Sequence, residues 1–97
     1  MSIYVMVGLN IRDADRYAEY AAPALASLQK YNVEILAVSD TAVTIEGVNP
    51  YGRFVLLRFP DAASFDAWYQ SPEYSAARPI RYESSDTGFF VTVEGLG

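Results

Sequence analysis

Apolar and polar positions alternate from Ile3 to Ile11. Ile3, Val5, Val7, Leu9 and Ile11 share one side, and Tyr4, Met6, Gly8 and Asn10 take the other. A period of two with β-branched residues predicts a strand. The period then changes. Ala14, Tyr17, Ala18, Ala21, Leu25 and Leu28 recur at steps of three and four, which predicts an amphipathic helix. Asp13 is its expected N-cap. Pro23 interrupts the stripe and predicts a kink near Ala22, because proline removes a backbone donor. Asn32 suits a left-handed residue closing the helix. Val33 to Val38 reads as a second strand, Ser39-Asp40 as a turn or bulge, and Ala42 to Val48 as a continuation in extended form. Asn49-Pro50-Tyr51-Gly52 is a turn by composition, and Arg53 to Phe59 is a third strand.

Asp61 is positioned to cap a second helix whose stripe is Ala62, Phe65, Trp68 and Tyr69. Ser71-Pro72 restarts the helix, with serine as cap and proline at the first helical position, where its missing N–H costs nothing. Pro79 is expected to break or bend this segment. Ser84-Ser85-Asp86 reads as a loop, and Phe89 to Glu94 as the last strand. The order is β-α-β-β-α-β over residues 1–97, a single α+β domain of ferredoxin-like type with an antiparallel sheet. Two helical segments cover one face of such a sheet. Yet three strands carry apolar groups on both sides: Tyr4 and Met6 opposite the Val/Leu row, Phe54 and Leu56 opposite Val55 and Leu57, and Phe90 opposite Phe89 and Val91. An uncovered apolar face implies an interface, and a second copy packed sheet to sheet about a two-fold axis is the simplest partner.

Composition narrows the chemistry. The chain of 97 residues is 52% hydrophobic and carries a formal charge of −5, with neither Cys nor His. Disulfides, thiol nucleophiles, Ser-His-Asp triads, imidazole metal sites and a proximal imidazole for haem are excluded with them. The acidic balance argues against nucleic-acid backbones and anionic membranes as partners. No apolar run approaches a membrane span of about 20 residues. The opening Met-Ser-Ile-Tyr-Val lacks the basic start of a signal peptide, so a soluble cytoplasmic protein is expected. The scattered glycines form no phosphate loop or dinucleotide fingerprint. No metal and no cofactor are expected.

Several stretches resemble one family. These are Arg53-Phe-Val-Leu-Leu-Arg-Phe-Pro-Asp61, Ala67-Trp-Tyr-Gln-Ser-Pro-Glu-Tyr74, Arg81 and Val93-Glu-Gly95. Together they look like the domain-of-unknown-function family numbered 1330, in the dimeric α/β-barrel superfamily. The likeness runs from Tyr4 to Gly95 and is most specific in Trp68-Tyr-Gln-Ser-Pro-Glu-Tyr74. It departs at Val38-Ser39-Asp40, where such sequences commonly carry an Arg-Gly-Gly-like turn. The resemblance implies a ferredoxin-like protomer and a sheet-to-sheet dimer. Residues 64–78 are also similar to the second-helix region of haem-degrading monooxygenases. Where those relatives carry an Ala-His pair this chain has Ala77-Arg78, and a guanidinium stays protonated and cannot ligate iron. Cofactor-free monooxygenases of the superfamily use Asn, Trp and Tyr on polycyclic aromatics, and this chain has those residue types.

The candidate ligand-binding residues are Tyr17, Arg58, Trp68, Tyr69, Glu73, Tyr74, Arg78 and Arg81; no catalytic residue is assigned. Each has a plainer reading beside it. Trp68 lies on the helical stripe, so a core anchor is the simpler role. Tyr69, turned about 100° from it, is placed to reach a pocket mouth. Glu73, at the second helical position, is explained by the helix dipole, or is a general base beside the Tyr74 phenol. Arg58 shares a strand face with Phe54 and Leu56. It either binds a carboxylate bidentately or pairs with Glu46 or Glu94 across strands. Arg78 and Arg81, three apart on a helix, either converge with Tyr17 or Tyr20 on an anion-and-aromatic site or form surface ion pairs. Arg53 completes the arginine set. The functional expectation is a homodimer that binds a small aromatic or carboxylate-bearing molecule between sheet and helices. The alternative is a cofactor-independent monooxygenase or isomerase acting on a small aromatic substrate.

Overall fold

The computed structural model describes residues 1–97. Seven elements follow in order: β1 (Ile3–Ile11), α1 (Ala14–Gln29), β2 (Glu34–Ser39), β3 (Arg53–Phe59), α2 (Ala62–Tyr69), α3 (Pro72–Ser84) and β4 (Ser85–Glu94). The strands form one antiparallel sheet in the order β2-β3-β1-β4. This is the expected ferredoxin-like arrangement, with its second helical crossover split into α2 and α3.

Register explains the core. Val5 faces Leu57 on one side and Thr92 on the other, and Val7 faces Val55 and Phe90. With period two, Ile3, Val5, Val7, Leu9, Leu57 and Phe59 then point to the same side, where all six are buried beneath the helices. The opposite side carries Tyr4, Met6, Phe54, Leu56, Phe89, Val91 and Val93. No element of the protomer covers that side along its length. Met6, Val91 and Val93 are 41–46% exposed there.

Local chemistry sets the helix ends. The Asp13 carboxylate accepts the Arg16 N–H at 3.0 Å, and the Asp61 carboxylate accepts the Ser64 N–H at 2.7 Å. Ser71 is a two-way cap. Its hydroxyl oxygen accepts the Tyr74 N–H that begins α3, and its hydrogen goes to the Trp68 carbonyl near the end of α2. One buried side chain thus closes one helix and opens the next. Asn32 has φ +60°, the left-handed residue expected just past α1.

Two local expectations are corrected, and neither proline interrupts its helix. Helices α1 and α3 run unbroken through Pro23 and Pro79. Both prolines are exposed, and each removes the donor to a carbonyl four residues earlier while the rest of the helix keeps its bonds. Residues 42–48 form no strand. Strand β2 ends at Ser39 after a register shift between Ile35 and Ala37. The long connection to β3 is held near its ends instead. Arg53 grips the Asp40 carboxylate through two bonds of 2.7 and 2.8 Å. Asn10 donates to the Pro50 carbonyl at 3.0 Å and accepts the Gly52 N–H at 2.8 Å. Last, Ser84-Ser85-Asp86 is not a loop, because α3 passes directly into β4. The Ser84 and Ser85 hydroxyls donate to the carbonyls of Ile80 and Arg81, each at 2.7 Å, so the helix end is satisfied without a connecting turn. Strand β4 therefore begins four residues earlier than its apolar run suggests.

Ser71→Ala removes both halves of the two-way cap, and we expect a loss of about 1–2 kcal/mol in urea unfolding. The carboxyls of Asp40, Asp61 and Glu73 are held below the usual carboxylate range. The causes are the side-chain hydrogen bond from Arg53, the backbone N–H of Ser64 and the side-chain hydrogen bond from Lys30. A lowered folded-state value means stability is present above the ordinary carboxylate value and lost as pH falls through the lower one. The thermal midpoint is expected to drop between pH 5 and pH 3.

Candidate functional site

A cavity of about 210 Å³ lies between α1 and the helix-covered side of the sheet. Its floor is Val7 and Leu9 of β1 with Val55 and Leu57 of β3. Its roof is Tyr17, Tyr20, Ala24 and Leu28 of α1, and Trp68, Arg81 and Phe90 close its inner end. Leu25, Ile35 and Val38 also line it and are 43–57% exposed, so they mark its mouth at the β2 edge. Small residues on α1 make the space. Ala21 and Ala24 stand where larger side chains would fill the gap above the sheet. The volume lies below the roughly 300–1,000 Å³ of drug-sized sites, so it suits a small molecule.

The inner end is an aromatic column tied together by hydrogen bonds. Trp68 and Tyr74 have ring centroids 4.0 Å apart, and Phe59 lies 5.4 Å from the indole. The indole N–H donates to the Ser27 hydroxyl at 2.9 Å, and that hydroxyl donates to the Ala24 carbonyl at 2.6 Å. The Tyr74 hydroxyl accepts from Arg81 at 3.1 Å and lies 2.9 Å from the Tyr20 hydroxyl. Burial raises the phenols of Tyr17, Tyr20 and Tyr74 above the ordinary tyrosine value, so all three remain neutral near pH 7.

Two arginines line the cavity, and they are treated differently. Arg53 lies over the Tyr17 ring at 5.4 Å, and Asp40 neutralises it. Arg81 is 3% exposed and takes part in none of the chain's six ion pairs. Its partners are the Tyr74 phenol and the faces of Tyr82 and Phe90, at 5.1 and 5.0 Å. Its Nε–H has no acceptor at all. A buried cation held only by phenol and ring faces is an expensive arrangement.

Of the residues proposed from sequence, Tyr17, Trp68 and Arg81 line the cavity, and Tyr74 stands directly behind it. The other four lie elsewhere. Arg58 is on the opposite side of the sheet. It pairs there with Glu34, its register neighbour on β2, at 2.8 Å, and not with Glu46 or Glu94. Glu73 is exposed and bonded to Lys30 at 2.7 Å. Arg78 does not converge with Arg81. It lies 4.5 Å over the Tyr69 ring, outside the cavity. Burial pushes the Tyr69 phenol up, but the proximity and charge of Arg78 outweigh it and hold the phenol below the ordinary tyrosine value. The Asn10 amide is engaged with the connection before β3, so both of its polar ends are occupied. Four acidic or imidazole-type ligands never gather, and no group of three potential metal ligands exists.

Sequence reasoning did not assign Ala21, Ala24 or Phe90 to the site. Arg53 had a usable signal. It shares strand parity with Val55, Leu57 and Phe59, which points it under the helices. The alanines had none, because a gap depends on the distance between two elements.

Solved structures share this architecture. A protein of unknown function from Rhodopseudomonas palustris superposes with a TM-score of 0.82 at 14% identity, covering 99% of this chain and 83% of that one. A dimeric ferredoxin-like protein of unknown function from Jannaschia sp. gives 0.70 at 18% identity, covering 98% and 100%. SnoaB, a cofactor-independent oxygenase from Streptomyces nogalater, gives 0.69 at 8% identity, covering 99% and 94%. At these identities the likeness is one of fold. No functionally curated protein matches the sequence. The family model of the domain of unknown function DUF1330 matches residues 2–96, and the chain belongs to that family.

Proposed function

We propose that this protein is a homodimer that binds a small aromatic or carboxylate-bearing molecule in the cavity between α1 and the sheet of each protomer. The cavity carries the reading. Its walls are apolar almost throughout, it opens at the β2 edge, and a cation stands at its inner end. Apolar walls supply affinity, and a few placed polar groups supply orientation.

The dimer rests on the uncovered side of the sheet. Tyr4, Met6, Phe54, Leu56, Phe89, Val91 and Val93 make one continuous apolar surface there. Two structural neighbours of the same fold are described as dimeric. Packing two such surfaces together buries both about a two-fold axis.

A second reading is a cofactor-independent oxygenase. One neighbour of the same fold is described as such an enzyme, and the Arg81 cation beside two neutral phenols is suited to a substrate anion. Oxidation of an anthrone-like substrate would consume one O2 per new ketone and release water. Oxygen uptake with anthrone, lost in Arg81→Met, supports this reading. Its absence in the wild-type protein leaves binding alone.

2-Naphthol is expected to raise the melting temperature of the wild-type protein and not that of Ala21→Trp, whose exposed site fills the cavity mouth. Unchanged melting temperatures of the wild type with both 2-naphthol and 2-naphthoate overturn the binding reading. Light scattering at micromolar concentration is expected to give twice the mass of one chain, and Val91→Arg on the open side is expected to give a single chain.

A further inference from the structure

We infer that Arg81, Tyr74 and Tyr20 form an anion site at the inner end of the cavity. Its preferred ligand is then a small, otherwise apolar molecule bearing a single anionic oxygen group, a carboxylate or an enolate. The inference rests on the cavity being a binding site, and it specifies what that site selects.

Proton bookkeeping along the chain of hydroxyls comes first. Tyr74 is wholly buried, and its hydroxyl has two neighbours, Arg81 and Tyr20. Arg81 only donates, so the Tyr74 oxygen accepts from it. The Tyr74 hydrogen must also find an acceptor, because a buried unbonded hydroxyl is costly, and the Tyr20 oxygen is the one within reach, at 2.9 Å. The Tyr20 hydrogen is therefore left over. Tyr20 is half-buried and lines the cavity. Its donor has no acceptor in the protein and is free for a ligand. The chain runs Arg81 to Tyr74 to Tyr20 to ligand, and each link polarises the next. Neither phenol can take the negative charge itself, since burial holds both protonated.

Charge comes second. Arg81 is the buried cation of the molecule without a carboxylate, and its nearest polar and aromatic partners are Tyr74, Tyr82 and Phe90. The other arginine of the cavity is already matched by Asp40, so it offers no comparable demand. An uncompensated guanidinium behind an apolar chamber favours one negative charge within it. The same chamber disfavours a multiply charged ligand, because its remaining walls are almost all hydrocarbon. The anionic group sits at the inner end near Tyr20 and Arg81, and the apolar body extends past Ala24 and Leu28 towards Ile35 and Val38.

The test compares 2-naphthoate with its methyl ester, which share an aromatic body and differ in charge. Fluorescence titration of the wild-type protein is expected to show 2-naphthoate binding about tenfold or more tightly, as befits hydrogen bonds to a charged group. Tyr20→Phe is expected to reduce naphthoate affinity about tenfold and leave the ester unchanged. That variant removes one oxygen from a half-buried site and so keeps the fold. Arg81→Met is expected to abolish the preference altogether. Equal affinity of the wild type for both probes overturns the anion site while leaving the binding cavity standing. Failure of both probes to bind overturns the cavity reading and the anion site with it. A preference that survives unchanged in Tyr20→Phe and in Arg81→Met also overturns the site.

Discussion

The packing of Trp68 against Tyr74, 4.0 Å between ring centroids, holds three helices in one arrangement. Trp68 ends α2, Tyr74 begins α3, and both reach α1 through hydrogen bonds, one to Ser27 and one to Tyr20. Ser71 fixes the corner between them from inside. The other polar links from α1 to α3, Lys30 to Glu73 and Arg16 to Glu83, lie on the exposed surface. The cavity exists because this anchor is local. Near Trp68 the helix is tied down, whereas toward the β2 edge Leu25, Ile35 and Val38 stay partly exposed.

The two charged groups of the cavity differ in burial and in pairing. Arg53 has a bidentate carboxylate partner and also ties down the start of the connection from β2 to β3. Its charge is spent on the fold. Arg81 sits deeper and has only a phenol and two ring faces. A fold that needed only stability would be better served by an apolar side chain at that position.

The sheet imposes the second large constraint. Four strands with apolar residues on both sides have helices for one side only. The helix-covered side is fully buried at Val5 and Phe59, whereas Met6, Val91 and Val93 on the other are more than two-fifths exposed. The cavity and the uncovered apolar surface therefore lie on opposite sides of one sheet. Arg58 illustrates the separation. It is one residue from Leu57 in the chain, yet it faces the side away from the cavity and pairs with Glu34.

Much of this was legible in the order of residues. Alternation placed β1, and the 3.6-residue stripe placed α1. Asp13, Asp61 and Ser71 marked helix starts because their side chains satisfy backbone donors within three residues, a strictly local interaction. Strand parity put Arg58 on the side of Phe54 and Leu56 before any coordinates. Signals were misleading where local chemistry has more than one use. Ser84-Ser85 has loop composition but seals a helix end, and Pro23 and Pro79 are tolerated on exposed helical faces. The site was readable only in part. Arg78 and Arg81 lie at helical spacing, but one stacks on Tyr69 outside and the other enters the interior. Sequence by itself determined the elements, the two-sided apolar character of the sheet and the absence of imidazole and thiol chemistry, because these follow from near neighbours and residue type. Tertiary structure decided which arginine is left unpaired, which phenols join it and where α1 stands clear of the sheet. Those depend on distances between elements far apart in the chain, such as Tyr20 and Tyr74.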